Sequence, residues 1–232
     1  MRQRYKEVLA NSPLTGSLDE ATLNDWLHLF REHRCPKGFG CSELVREKDF
    51  LFLVEGRLQV FRSHPQTGRS LTLWLLGPGD GFDVVRLLDG QEHDVQVEAL
   101  EEVVFLAAPF QQVRNWIALH PEFNSTFLPY VSQQLRCVEG LATDLGLYHT
   151  VARLARVFLR HAVRSAGDAV TVPLLHNLPN HHMAQMIGSV RQVVNHHLQN
   201  WRSHGLVSER DLVIGDLQEL SAIADEAEVL HR

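Results

Sequence analysis

At 232 residues the chain fits one large domain or, more readily, two of moderate size, and its 44% apolar and 22% charged residues are the balance of an ordinary globular protein. No apolar run approaches the ~20 residues of a membrane-spanning helix, the opening MRQRYKEVLANSP lacks the apolar core of a signal peptide, and no stretch is repetitive or of low complexity. A cytoplasmic protein is expected, with no membrane partner and its three cysteines reduced.

Residues 18–31 (LDEATLNDWLHLFR) read as a helix with Leu23, Trp26, Leu27 and Phe30 on one face. From Cys35 to Ala107 the texture changes to short apolar runs, FLFLVEG, RLQVFRS, SLTLWLLGPGDGF, DVQVEAL and EVVFLAA, separated by turn-forming HPQTG, GPGDG and Asp89-Gly90. Many short strands punctuated in this way predict a compact antiparallel barrel or roll. A helix follows over Pro109–His120, and a longer one from Glu122 to about Tyr148. In the longer helix Leu128, Val131, Leu135, Val138, Ala142 and Leu145 step alternately by three and four. That repeat is the seam of a two-stranded coiled coil, so these residues are the expected dimer interface; the alternative is a helix lying on its own barrel.

The chain is expected to hinge over Gly146–Thr150. A helix over 150–165 then places Arg153, Arg156, Arg160 and Arg164 three or four apart, an edge expected to contact phosphate. AVTV (169–172) and LVSERDLVIG (206–215) read as short strands around a helix pair, and an acidic helix over Asp216–Leu230 ends the chain. The pair itself is LPNHHMAQMIGSVRQVVNHHLQNWRSHGLVS. Asn177 is the expected cap of its first helix, with Pro179 in the first turn and Met183, Met186 and Ile187 on one face. Gly188 makes the turn; Ser189, with Gln192 three residues on, forms a capping box for the second helix. Val190, Val194, Leu198 and Trp201 form the expected buried stripe, Arg191, Asn195, Gln199 and Arg202 the open side, and Gly205 the stop. Helix, glycine turn and a helix with Arg, Asn, Gln and His outward is the form of a helix-turn-helix, whose side chains can pair with guanine and adenine edges in the major groove. An ordinary helical hairpin has the same outline. The net charge of −6 argues against DNA, yet residues 145–208 hold six Arg and one acid, a net of +5, with six His between His176 and His204.

This order of parts resembles the Crp/Fnr superfamily of bacterial transcription regulators over nearly the whole chain. FLVEGRLQVFR is similar to the family's β-roll segment, GDGFDVVRLLDGQEHDVQVEAL to its effector-pocket stretch, and MAQMIGSVRQVVNHHLQNWRSHGLV to its DNA reader. The resemblance implies an α+β architecture: an N-terminal β-roll, cyclic-nucleotide-binding-like sensor domain (1–120), a dimerisation helix (121–148) and a C-terminal winged helix-turn-helix domain (149–232). It implies a homodimer on a two-fold-symmetric double-stranded DNA operator, with RNA polymerase as a further partner. The expected DNA-binding residues are Ser189, Arg191, Gln192, Asn195, His196, Gln199 and Arg202; the effector-pocket candidates are Gly81, Arg86, His93 and Asp94.

The departures bear on the effector. Relatives that bind cyclic AMP carry a Glu after the pocket-loop glycine and an Arg-Ser pair further on; here the loop reads GDGFDVVRLL, without that Glu, and the pair is His93-Asp94. A phosphate needs a cation there and an Asp repels it, so cyclic AMP is not expected to bind in the usual way; Arg86 is the nearby substitute. Gln192 and His196 replace the reader's familiar Glu and Arg, which predicts a different operator. A redox or gas sensor is an alternative: His33, Cys35 and Cys41 are weak candidates for haem, an iron–sulfur cluster or a disulfide switch, though with only three cysteines a cluster would need a non-Cys ligand. The alternative for these cysteines is plain packing. No metal is expected at His181-His182 or His196-His197, because adjacent helical residues point apart. No nucleophile–base or paired-carboxylate spacing occurs, so no catalysis is expected. Two further readings remain: a regulator of this architecture without an effector, and a ligand-binding module that docks a protein.

Overall fold

A computed structural model describes residues 5–38, 49–164, 169–208 and 213–226 of the chain. It divides into two compact units, Met1–Arg62 with Trp74–Cys137, and Ser63–Leu73 with Val138–Arg232.

The first unit is built on two apolar runs. DFLFLVE forms β2 (Asp49–Glu55) and VVFLAAP forms β7 (Val103–Pro109), paired antiparallel with Phe52 opposite Leu106 and Leu53 opposite Phe105. Both are buried along nearly their whole length because successive side chains enter two different cores. Phe50, Phe52, Val54, Val104, Leu106 and Ala108 join Trp26, Phe30, Val113, Trp116 and Phe123 from the helices. Leu51, Leu53, Val103, Phe105 and Ala107 join Leu58, Val60, Val97 and Ala99 from the facing strands. Each fully buried Phe or Leu contributes about 1.5–3 kcal/mol. β1 (Arg31–Cys35) and β5 (Gly81–Phe82) complete a sheet in the order β1-β7-β2-β5, while β3 (Leu58–Ser63), β4 (Ser70–Leu76) and β6 (Gln96–Ala99) form a second in the order β4-β3-β6. The expected roll is present.

Helices α1 (Lys6–Asn11) and α2 (Glu20–His28) precede the strands; the expected first helix is shorter than read, because the chain turns at Leu29 and Arg31 begins β1. A short helix not foreseen from the sequence, α3 (Val84–Asp89), interrupts the pocket stretch. Asp83 caps it, accepting from the Arg86 amide, and Gly90 ends it in the left-handed region at φ 75°. α4 (Phe110–Leu119) and a 3-10 turn (Pro121–Phe123) lead into α5 (Asn124–Leu147), the long helix. On α5, Phe127 and Tyr130 are buried while Leu128 and Leu135 are 58% and 68% exposed, so the 3.5-residue stripe is not absorbed by the helix's own chain at those two positions.

The second unit contains α6 (Thr150–Arg160), β8 (Val163–Arg164), β9 (Val170–Thr171), a 3-10 turn (Pro173–Leu175), α7 (Asn180–Met186), α8 (Arg191–Ser203), β10 (Val213–Ile214) and α9 (Leu217–Asp225). The strands form one small sheet, β10-β9-β8, with Ile214 also bridged to Val207. α6 packs on α8 and α9, and the Phe158 and Trp201 rings meet edge to face at 5.5 Å. α6 ends at Arg160, five residues short of the expected limit, and Arg164 lies exposed on β8. The middle of the expected strand over 206–215 and the end of the expected terminal helix lie outside the described residues.

Two capping expectations are corrected. Asn177 adopts the left-handed conformation (φ 54°) and does not cap α7; Pro179 holds the cap position, without a side-chain bond. α8 is capped at Val190, again without a side-chain bond, because Ser189 is used by the turn, its amide donating to Ala184 O at 2.8 Å. Starting one residue late turns Val190 outward at 54% exposure, so the buried stripe is Val194, Leu198 and Trp201 alone.

Candidate nucleic-acid interface and effector pocket

The reader is α7, a turn at Gly188 and α8. Gly188 has φ 63°, and a Cβ there would lie 2.7 Å from Leu145 Cδ2, so the position needs glycine both for its backbone and for the close approach of Leu145. Arg69 Nη2 donates to Gly188 O at 3.2 Å on the same turn. Along α8, Val194, Leu198 and Trp201 face inward, while Arg191, Gln192, His196 and Gln199 are exposed together on the outer side. Asn195 is half-buried and accepts a hydrogen bond from the Asn180 side chain of α7. Ser189 and Arg202 are half-buried. His197 turns inward, its Nε2 3.0 Å from Thr150 Oγ1, and burial, with His196 beside it, holds its pKa below the usual histidine value.

The basic edge expected on α6 is corrected. Asp144, on α5, is buried and accepts from Arg156 and from Arg160. Arg156 also lies over the Tyr148 ring at 4.3 Å. Arg153 donates to three backbone carbonyls, Tyr148 O at 2.6 Å, Leu145 O at 3.0 Å and Ile187 O at 3.4 Å. These three arginines hold the fold; they are not laid out for phosphate. The acid that neutralises two of them sits one residue before the basic stretch counted from 145, and sequence distance hid the pairing.

Leu145, among the expected seam residues, is half-buried, and its side chain lies against Gly188 within its own chain. Leu128, Leu135 and Ala142 remain exposed, and Val131 and Val138 half-buried.

In the first unit the pocket stretch brings His93 against an acid that sequence reading passed over. His93 Nδ1 lies 2.8 Å from Asp83 Oδ1, with 15% and 6% of the two side chains exposed. The Trp74 ring meets His93 edge-on at 6.0 Å. Asp three residues before Arg86, after a turn glycine, is a capping pattern that could have flagged Asp83. The Arg86 guanidinium lies 5.4 Å over the Phe110 ring, and the carbonyls of Arg86 and Leu87 accept from Arg114 at 2.7 and 2.6 Å. Asp94 is exposed and its carbonyl accepts from Arg62 Nε at 2.6 Å. Gly81 is a packing glycine, since a Cβ there would lie 2.5 Å from Phe50 Cζ. Its amide donates to Tyr130 Oη at 2.9 Å, and that hydroxyl in turn donates to Asp80 Oδ1 at 3.4 Å. Desolvation pushes the Asp80 carboxyl up to about 6, against the Gly77 amide and Tyr130 hydroxyl that favour its charged form. Burial, then the Asp80 charge, drive the Tyr130 hydroxyl well above its usual value.

Of the cysteine and histidine candidates, Cys35 is buried with Sγ 3.7 Å from Pro36 O, and the His33 ring stacks on Phe105 at 5.9 Å. Cys41 lies outside the described residues. Among the described residues no group of three His, Cys, Asp or Glu side chains could hold a metal, and no helix is long and apolar enough to cross a membrane.

These parts match known proteins along the chain. The Crp-like helix-turn-helix domain matches residues 152–223 and the cyclic nucleotide-binding domain residues 42–120. The CRP-like cAMP-activated global transcriptional regulator of Mycobacterium tuberculosis is 26% identical over 221 residues, 93% of this chain and 97% of that protein. Among solved structures, a CooA mutant from Carboxydothermus hydrogenoformans shares the fold with a TM-score of 0.72 at 21% identity, covering 91% of this chain and 98% of that one. FixK2 from Bradyrhizobium japonicum does so with a TM-score of 0.70 at 16% identity, covering 86% and 99%. With a β-roll, a long helix and a C-terminal helix-turn-helix in that order, and with homologues that are regulators and not enzymes, the chain belongs to the Crp/Fnr superfamily of DNA-binding transcription regulators.

Proposed function

We propose that the protein works as a homodimer on a two-fold-symmetric DNA site, with α8 of each chain in a major groove. The observation that carries this is the single outward face of α8 formed by Arg191, Gln192, His196 and Gln199. Arg pairs best with guanine and Gln with adenine, and Asn195 is oriented at the edge of this face by Asn180. The uncapped first turn of α8 leaves amides for a phosphate oxygen, with Ser189 beside it. Arg202, in the last turn, would serve the backbone. Arg191→Ala is expected to cost about 1–3 kcal/mol on the true operator and to relax one base position, read by fluorescence anisotropy at fixed salt. A protein dock in place of DNA would lack the steep linear fall of log affinity with log salt.

The dimer would form through Leu128, Val131, Leu135, Val138, Ala142 and Leu145 of α5. The sensor domain (1–120), dimer helix (121–148) and DNA-binding domain (149–232) then act in series, with RNA polymerase as the partner in a cytoplasmic regulator. Cyclic AMP in its usual pose is not the effector. The stretch that would need an Arg and a Ser offers His93 already paired to Asp83, while Arg86 lies over Phe110 and Arg62 donates to the Asp94 carbonyl. The pocket therefore suits a ligand without a phosphate, or none.

A further inference from the structure

Arg153 stands in the first turn of α6, where a cation opposes that helix's own dipole. Its position is explained by the carbonyls it serves. Leu145 O belongs to the last turn of α5, whose final carbonyls have no partners within the helix. Tyr148 O follows directly after that helix. Ile187 O belongs to the reader, in the residue before its Gly188 turn. Two contacts reinforce the same joint: the Leu145 side chain against Gly188, and Thr150 Oγ1 3.0 Å from His197 Nε2 on α8.

We infer that Arg153 is a positioning residue that fastens the last turn of α5 and the reader turn into one body, so that any movement of α5 reaches α8 undiminished. This rests on the reading of α8 as the DNA reader. Only a planar fork with several fixed donors satisfies three carbonyls that approach from different sides; a lysine ammonium, a point charge on a flexible stem, does not. A loosened joint would leave each reader able to bind a half-site, while the separation of the two readers in a dimer would no longer be fixed.

The test uses the full-length protein in two arms. In the first, without DNA, spin labels are placed through a non-canonical amino acid at the exposed Glu139 and Asn200, diluted with unlabelled chain. The distance distribution is expected to be narrow in the native sequence and broad in R153A and in R153K. A distribution as narrow in R153A as in the parent, or full restoration by lysine, overturns the clamp. In the second arm, affinity is compared for operators whose half-sites are correctly spaced or moved apart by one base pair. R153A is expected to lose about fivefold or more of the spacing preference, with affinity for an isolated half-site and the salt slope within about twofold of the parent. An unchanged spacing preference overturns the proposal. Should the parent bind no duplex at all, the DNA reading falls, and the spin-label arm still decides the clamp.

Discussion

His93 Nδ1 sits 2.8 Å from Asp83 Oδ1, and the same carboxyl oxygen accepts from the Arg86 amide, so one buried acid joins the pocket histidine to the start of α3. Removing either partner strands the other in a site with little access to water. His93→Ala is expected to cost about 1–3 kcal/mol in denaturant unfolding. Asp83→Ala should cost roughly 1 kcal/mol more, because the helix cap goes with it. The double variant should cost less than the sum, which reports their coupling. Calorimetric titration of the parent with cyclic AMP should show no binding heat.

Gly188 and Leu145 form a second coupled pair. Gly188→Ala meets both a left-handed backbone and the Leu145 methyl 2.7 Å from the new Cβ, and is expected to destabilise by about 1–3 kcal/mol. Adding Leu145→Ala should recover the steric part and leave the backbone part, a result thermal melting of the two variants can separate.

Asp144 should be felt most when it is left alone. Its side chain is 3% exposed, against 28% for Arg156 and 32% for Arg160. Arg156→Ala with Arg160→Ala strands the buried carboxylate and should cost about 3 kcal/mol or more. Asp144→Ala leaves two arginines that can still reach water and should cost less than that double variant. Equal costs by urea denaturation would contradict this order.

Two partly buried groups should tilt stability with pH in opposite directions. The Asp80 carboxyl is raised to about 6 from 3.8, so the folded state holds the extra proton and this group's contribution is present below about 4 and lost as pH rises to 6. Asp80→Asn should therefore gain on the parent across that window, by on the order of 1–2 kcal/mol. Burial, with Arg160 alongside, lowers the His161 pKa to about 4 from 6.5, so the unfolded chain takes the proton first and stability is lost as pH falls from 6.5 towards 4. His161→Gln should flatten the pH profile over that range. Melting temperatures across pH 4–8 check both.

Leu135 is 68% exposed on α5, so Leu135→Lys should leave the folding of one chain within about 0.5 kcal/mol. A buried seam would lose about tenfold or more in dimer affinity, read by sedimentation velocity.

The sequence by itself determined the parts that depend on local period. The apolar runs at 49–55 and 103–109 specify buried strands, the three-four steps from Leu128 to Ala142 specify a striped helix, and Val194, Leu198 and Trp201 specify which side of the reader helix is hidden. What period cannot see is which distant groups meet. Only the tertiary structure decided that Asp144 absorbs Arg156 and Arg160, that Arg153 serves carbonyls of two other elements, that Leu145 packs on Gly188, and that Asp83 takes His93. An exposed charge and a paired one have the same sequence spacing; desolvation and a partner's position separate them, and both are set by chain segments far apart.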